Sequence, residues 1–291
     1  METVFGIVVD GIAYGMILFI ISVGLSVTLG LMRVVNLAHG AFAMIGGYTA
    51  SYAIQSLGFG YGPALLLAIA VTVAFSLPME RLLYRRLYGI EHELPQVLLT
   101  IGLAFMVVAT MNILFGPTLK QIPLPDILSS PISLGTKVVS AHRIFVIVAG
   151  AATILGLWLL LEKTDFGIRL RAAVDDPRMA AALGIRTEKL YAATFALGSG
   201  LAALGGVLGA ELLPLEPYYA IRYIVILLAV VAVGGAGSIL GSVTASLTLG
   251  ILDTVTKYLF PNFGDFFFYG VLALILFLRP NGIFDKRAPQ A

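Results

Sequence analysis

No cysteine occurs in the sequence, which excludes disulfides and thiolate-held metals. Charge is scarce too. Asp, Glu, Lys and Arg make up 12% of the residues, against roughly 25% in a soluble globular domain. The net charge of +2 is too small to point to nucleic acid. No Gly-Lys-Ser/Thr follows any glycine cluster, so a phosphate-cradling loop is missing and a nucleotide site with it. No His-Glu-x-x-His zinc motif is present. The opening stretch METVFGIVVDGIAYG lacks the basic region of a signal peptide, so its apolar run reads as a mature span.

What is there is apolar sequence: 59% hydrophobic residues and a mean hydropathy of +0.99. Nearly charge-free runs place helices near 4–31, 37–56, 62–84, 96–115, 143–161, 190–210, 219–235, 238–259 and 264–279. A helix needs roughly 20 apolar residues to cross a bilayer. The expected fold is an all-α polytopic membrane protein of about eight or nine transmembrane helices, one transmembrane domain over 1–291. The second and eighth segments, rich in Gly, Ser and Ala, are expected to be re-entrant or broken. Two loops stand out, 116–142 and 163–189. The first carries Pro117, Pro123, Pro125 and Pro131, which forbid a long helix and favour short extended pieces.

The positive-inside rule orients the chain. With the C-terminus in the cytoplasm, Arg33, Arg81, Arg85, Arg86, Lys163, Arg169, Arg171, Arg178, Arg186, Lys189, Arg279, Lys286 and Arg287 lie inside. Lys120, Lys137, Arg143, Arg222 and Lys257 lie outside. The N-terminus is then outside, 116–142 is an external loop and 163–189 a cytoplasmic one.

Small residues recur at helix-interface spacing. Gly198, Ala202, Gly206 and Ala210 fall every fourth residue, as do Gly237, Gly241 and Ala245. Such ridges let helix backbones approach where lipid supplies no hydrophobic drive. Asn36-Leu37-Ala38-His39-Gly40 opens a Gly-rich helix at a membrane break, where free N–H groups and a positive dipole end suit a carboxylate. Asn36 is the expected cap. His39, an ionisable group at membrane depth, is a pathway candidate, with a satisfied structural imidazole as the competing reading. His92 and His142 lie at span ends, too far off to complete a metal site. Glycines crowd Gly234-Gly235-Ala236-Gly237-Ser238, each costing a helix about 1 kcal/mol, so a break facing a cavity is expected. The substrate-pathway candidates are therefore Asn36, His39, Gly40, Gly235, Gly237 and Ser238. Asp253 and Lys257, four apart, read as a structural ion pair or as part of an ion relay.

The segment 169–184, RLRAAVDDPRMAAALG, is a polar anomaly between apolar runs. Lys163 to Gly167 end the preceding span. Asp176 and Pro177 then start a short helix, which stops at Gly184. Its small face at Ala180, Ala181 and Ala182 suits closure by another protein's groove. A solvated connector is the plainer alternative.

The chain resembles permease subunits of bacterial branched-chain amino acid importers of the ATP-binding cassette class, on the LivH side. The resemblance is nearly full length. It rests on Arg33-Val34-Val35-Asn36-Leu37-Ala38-His39-Gly40 with Met44-Ile45-Gly46, on Glu80-Arg81 with Tyr84-Arg85, and on Gly167-Ile168-Arg169-Leu170-Arg171-Ala172. Met179-Ala180-Ala181-Ala182-Leu183-Gly184-Ile185 and Gly234-Gly235-Ala236-Gly237-Ser238-Ile239 complete it. The resemblance implies a non-catalytic subunit of the bacterial inner membrane with no cofactor of its own, ATP being bound by two cytoplasmic ATPase subunits. It implies a second, LivM-like permease subunit or a second copy, and a periplasmic or lipid-anchored substrate-binding protein. The coupling helix would comprise Asp176, Arg178, Met179, Ala180, Ala181 and Gly184, with Met179 where the wider consensus often has an acid. Family substrates include Leu, Ile, Val and other neutral amino acids. Urea, short amides and aromatic acids are the alternative, since these motifs do not separate the branches. Two remote readings compete: an intramembrane hydrolase using Ser238 or Ser242 with His39, and a passive channel or secondary carrier.

Overall fold

The computed structural model describes residues 2–32, 34–87, 93–134, 137–279 and 282. Arg33, His92, Lys286 and Arg287, all assigned a side or a place above, lie outside them. In chain order the helices are α1 (Glu2–Met32), α2 (His39–Gln55), α3 (Tyr61–Leu82), α4 (Glu93–Phe115), α5 (Asp126–Ser129), α6 (Ala141–Lys163), α7 (Asp165–Asp175), α8 (Pro177–Ala182), α9 (Thr187–Leu208), α10 (Tyr219–Arg222), α11 (Ile224–Gly234), α12 (Ile239–Leu259) and α13 (Gly264–Leu278). A 3-10 turn, Tyr84–Arg86, follows α3. Six of these helical stretches are long and apolar enough to cross a membrane, while Tyr219–Gly234 and Gly264–Leu278 are shorter apolar helices.

α1 is the axis of the bundle. Its 31 residues make a rod about 46 Å long at 1.5 Å per residue. Its most apolar stretch is 89% buried, against 17% for that of α6. The α6 stretch is the more apolar of the two, so hydropathy does not choose the central one. Small residues do. A Cβ on Gly24 of α1 would sit 2.5 Å from the carbonyl oxygen of Gly198 in α9. One on Gly206 of α9 would run into the backbone of Ala43 in α2. The ridge read from the sequence is thus real, and it lets α9 lie between α1 and α2 in backbone contact. α12, α6 and α11 pack on other faces of α1, and α3 lines α2 and α9.

The break expected at the 234–238 glycines is present between α11 and α12, but within the predicted segments the interruption falls elsewhere than expected. α12, the eighth predicted segment, runs unbroken. The seventh is interrupted instead, ending α10 at Arg222 and restarting α11 at Ile224. α2 is continuous from His39. The 116–142 loop does form short pieces: α5, then a hairpin of β1 (Pro131–Leu134) and β2 (Lys137–Ser140), antiparallel with Pro131 opposite Ser140. Lys120 N–H donates to the Leu215 carbonyl at 2.9 Å and ties this loop to the segment after α9.

Candidate functional site

The 169–184 segment folds as two helices, where the sequence suggested one. α7 was missed because its charges read as loop. Its buried residues nevertheless fall on one side, Gly167, Leu170 and Ala173, while Ile168, Arg169 and Arg171 are exposed. Arg171 donates to the Leu161 carbonyl at 2.7 Å and latches α7 to the end of α6.

α8 is terminated as read. Asp176 Oδ1 accepts from the N–H groups of Arg178 (2.9 Å) and Met179 (3.0 Å), with Pro177 in the first turn. At the other end Gly184 has φ +86°. The Ile185 N–H reaches the Ala180 carbonyl (3.1 Å) and the Gly184 N–H the Ala181 carbonyl (3.0 Å). These two bonds are the paired closure of a Schellman motif. Both ends of a six-residue helix are therefore pinned.

The small-faced reading of α8 needs one correction. Ala180 is 2% exposed and packs inward with Leu170, Ala173 and Leu190, in an apolar cluster separate from the main core. What α8 shows outward is Met179 (59% exposed) and Leu183 (74%), with Arg178, Ala181 and Gly184 also exposed. Met179 and Leu183, four apart, share a helix face. Beneath them Tyr191 of α9 donates to the Ala173 carbonyl at 3.1 Å. An exposed ion pair joins Arg85 after α3 to Glu188 of α9.

The pathway candidates form two separate attachments to α1. His39 Nε2 is 2.8 Å from the Ile21 carbonyl and the residue is buried, so the structural reading of this histidine has a partner. Asn36 does not cap α2; Ala38 holds that position with no side-chain bond. Instead Asn36 Oδ1 accepts from the Ala38 N–H (3.0 Å) and the Tyr84 hydroxyl (2.7 Å), while its buried Nδ2 has no partner among the described residues. Two residues not singled out in the sequence hold this loop from α4. Gln96 Oε1 accepts from the Val35 N–H (3.0 Å) and Thr100 Oγ1 from the Leu37 N–H (3.2 Å). The signal was available, as two polar side chains one turn apart on an apolar helix. Gly40 lies against the Ala220 backbone.

At the second attachment, Gly235 and Gly237 have φ +84° and +81°, backbone angles that favour glycine. The break docks on α1, where the Gly237 N–H donates to the Ser26 carbonyl at 3.0 Å. Ser238 caps α12 by accepting from the Gly241 N–H at 3.0 Å. Ser242 Oγ donates to the Ser238 carbonyl. His39 and the two serines are thus each bonded to backbone, and no Ser–His couple forms among them.

A cavity of about 520 Å³ opens at the far end of the bundle from α8. None of the six pathway candidates lines it. Its walls carry Asp10, Arg143, Arg222, Asp253, Lys257 and Asp265, from α1, α6, α10, α12 and α13. Lys257 Nζ is 3.0 Å from Asp253 and 3.4 Å from Asp265. Arg143 Nε is 3.1 Å from Asp10. The Asp253–Lys257 pair expected from spacing is present, as one part of this larger constellation.

A long bundle axis, glycine-mediated packing and one doubly pinned short helix at a bundle end frame the comparison with known proteins. Residues 7–276 match the family described as the permease component of the branched-chain amino acid transport system. The chain belongs to this family. Among its relatives, the high-affinity branched-chain amino acid transport system permease protein BraD of Pseudomonas aeruginosa is 30% identical, covering 96% of this chain and 94% of its own. The permease protein LivH of Escherichia coli is 26% identical over 95% and 94%. A probable LivH of Methanocaldococcus jannaschii is 28% identical over 94% and 90%. Among solved structures, PsaBC from Streptococcus pneumoniae in complex with Fab shares the fold, with a TM-score of 0.52, 13% identity, and coverage of 92% of this chain and 89% of that one. The protein is therefore a multi-pass membrane permease.

Proposed function

We propose that this chain is the membrane-spanning, non-catalytic subunit of an ATP-driven importer that carries branched-chain amino acids across the inner membrane. The observation that carries the reading is α8 within a chain of this family. A six-residue helix capped at both ends, seated on its own apolar cluster and showing Met179 and Leu183, is built to pass on a push rather than absorb it. Near full-length similarity to BraD and LivH supports the substrate class over urea, amides or aromatic acids.

In this reading the α7–α8 end faces the cytoplasm, the N-terminus faces out, and Asp176, Arg178, Met179, Ala181, Leu183 and Gly184 form the contact with one of two ATPase subunits, which bind the ATP. Ala180 acts from behind, as packing. A LivM-like subunit or a second copy completes the pathway, and a binding protein delivers substrate to the end bearing the hairpin and the cavity. Asn36, with a buried amide nitrogen free of partners among the described residues, is the strongest pathway residue of the six. His39 and Gly237 fix the elements beside it to α1.

The test is uptake of labelled L-leucine by inside-out and right-side-out vesicles carrying the assembled importer. Uptake that requires both ATP and the binding protein supports the reading. Leucine flux that ignores ATP would overturn it in favour of a channel or secondary carrier.

A further inference from the structure

We propose that the cavity bounded by α1, α6, α10, α12 and α13 is a binding site for a zwitterionic, apolar α-amino acid, held within this single subunit. The inference rests on the reading of the chain as an amino acid permease. It goes further by placing a substrate site away from Asn36 and the glycine break.

The chemistry of the walls is the argument. An α-amino acid carries a carboxylate and an ammonium group on one carbon, so a site below the membrane surface has to replace water around both charges at once. The cavity walls offer three cations (Arg143, Arg222, Lys257) and three carboxylates (Asp10, Asp253, Asp265). Asp253 is 5% exposed and shares Lys257 with Asp265. That leaves one ammonium between two carboxylates, so a ligand ammonium would balance the cluster. Arg143 bonds Asp10 through Nε alone, and its Nη1 is buried without a partner. A ligand carboxylate at the Arg143 guanidinium, which lines the cavity, would make a charge-assisted bond there. Among the tyrosines and Thr254 of the remaining wall, Ile7, Leu213 and Phe268 supply apolar surface, which suits an aliphatic side chain. Each cation has a carboxylate partner, Arg222 that of Glu216 at 2.7 Å. This set surrounds about 520 Å³ of open space, within the roughly 300–1,000 Å³ of small-molecule sites.

The experiment uses the full chain in lipid nanodiscs, without a binding protein, and tritiated L-leucine as the probe. Saturable binding is expected, displaced by L-isoleucine but not by isocaproate, which lacks the ammonium, or isopentylamine, which lacks the carboxylate. Asp253→Asn, which removes one of the two carboxylates that would hold the ligand ammonium, is expected to weaken binding about tenfold or more. Leu212→Trp, which fills the cavity and leaves every charge in place, is expected to abolish it. No saturable binding by the wild-type chain, or equal binding by the wild type and Leu212→Trp, overturns the site. ATP-driven leucine uptake separates the two claims. Wild-type levels of uptake in the Leu212→Trp importer overturn the cavity and leave the permease function standing, whereas no uptake by the wild type overturns the function on which the site rests.

Discussion

At one end of the bundle α7, α8 and the first turns of α9 enclose a small apolar cluster of their own and turn Met179 and Leu183 outward. At the other, Asp10, Arg143, Arg222, Asp253 and Lys257 surround open space. The first end is convex and locked by the side-chain cap of Asp176 and the backbone closure at Gly184. The second is concave and held by ion pairs between helices distant in sequence. A convex rigid element suits contact with a macromolecule, and a polar hollow suits a small solute. α1, deeply buried through its central stretch, is the element that reaches from one to the other.

Substitutions break this contrast in graded ways. Gly206→Leu strikes the contact of α9 with α2 in the body of the bundle, between the two ends. Its side chain has no room beside the Ala43 backbone, the cost is about 3 kcal/mol or more, and no monodisperse protein is expected on gel filtration in detergent. Gly184→Val strikes the convex end alone. A β-branched residue at φ +86° costs about 1–3 kcal/mol locally. The protein is expected to insert and purify normally while ATP-driven uptake falls to background, and uptake at the wild-type level would separate α8 from coupling. Asp176→Ala removes one cap, worth about 1 kcal/mol, and uptake is expected to drop without vanishing. Arg85→Gln removes an exposed ion pair with Glu188, worth under about 1 kcal/mol. Its melting curve is expected to overlay that of the wild type.

The same contrast explains what could be read from the sequence. Spans were legible because 20 or so apolar residues mean little else, and α8 was legible because Asp176, Pro177 and Gly184 each have one backbone use. α7 was hidden because its buried positions are only Gly167, Leu170 and Ala173, set among charges. The break at Tyr223 has no Gly or Pro to mark it. Which helix sits at the centre was hidden too, since in lipid both faces of a helix are apolar and only the glycine contacts choose. The charged cavity was the least legible feature. Asp253 and Lys257 announced themselves by spacing, but Asp10, Arg143 and Arg222 join them only through the fold.

Because the chain has no cysteine, a single introduced thiol reports without background. The most direct measurement of the central claim is thiol crosslinking of Leu183→Cys within the assembled importer, beside Tyr258→Cys at the opposite end. Crosslinking of Leu183→Cys to an ATPase subunit, tightened or released by ATP and absent for Tyr258→Cys, is the expected result. An ATPase crosslink from Tyr258→Cys and none from Leu183→Cys would contradict both the orientation and the coupling role of α8.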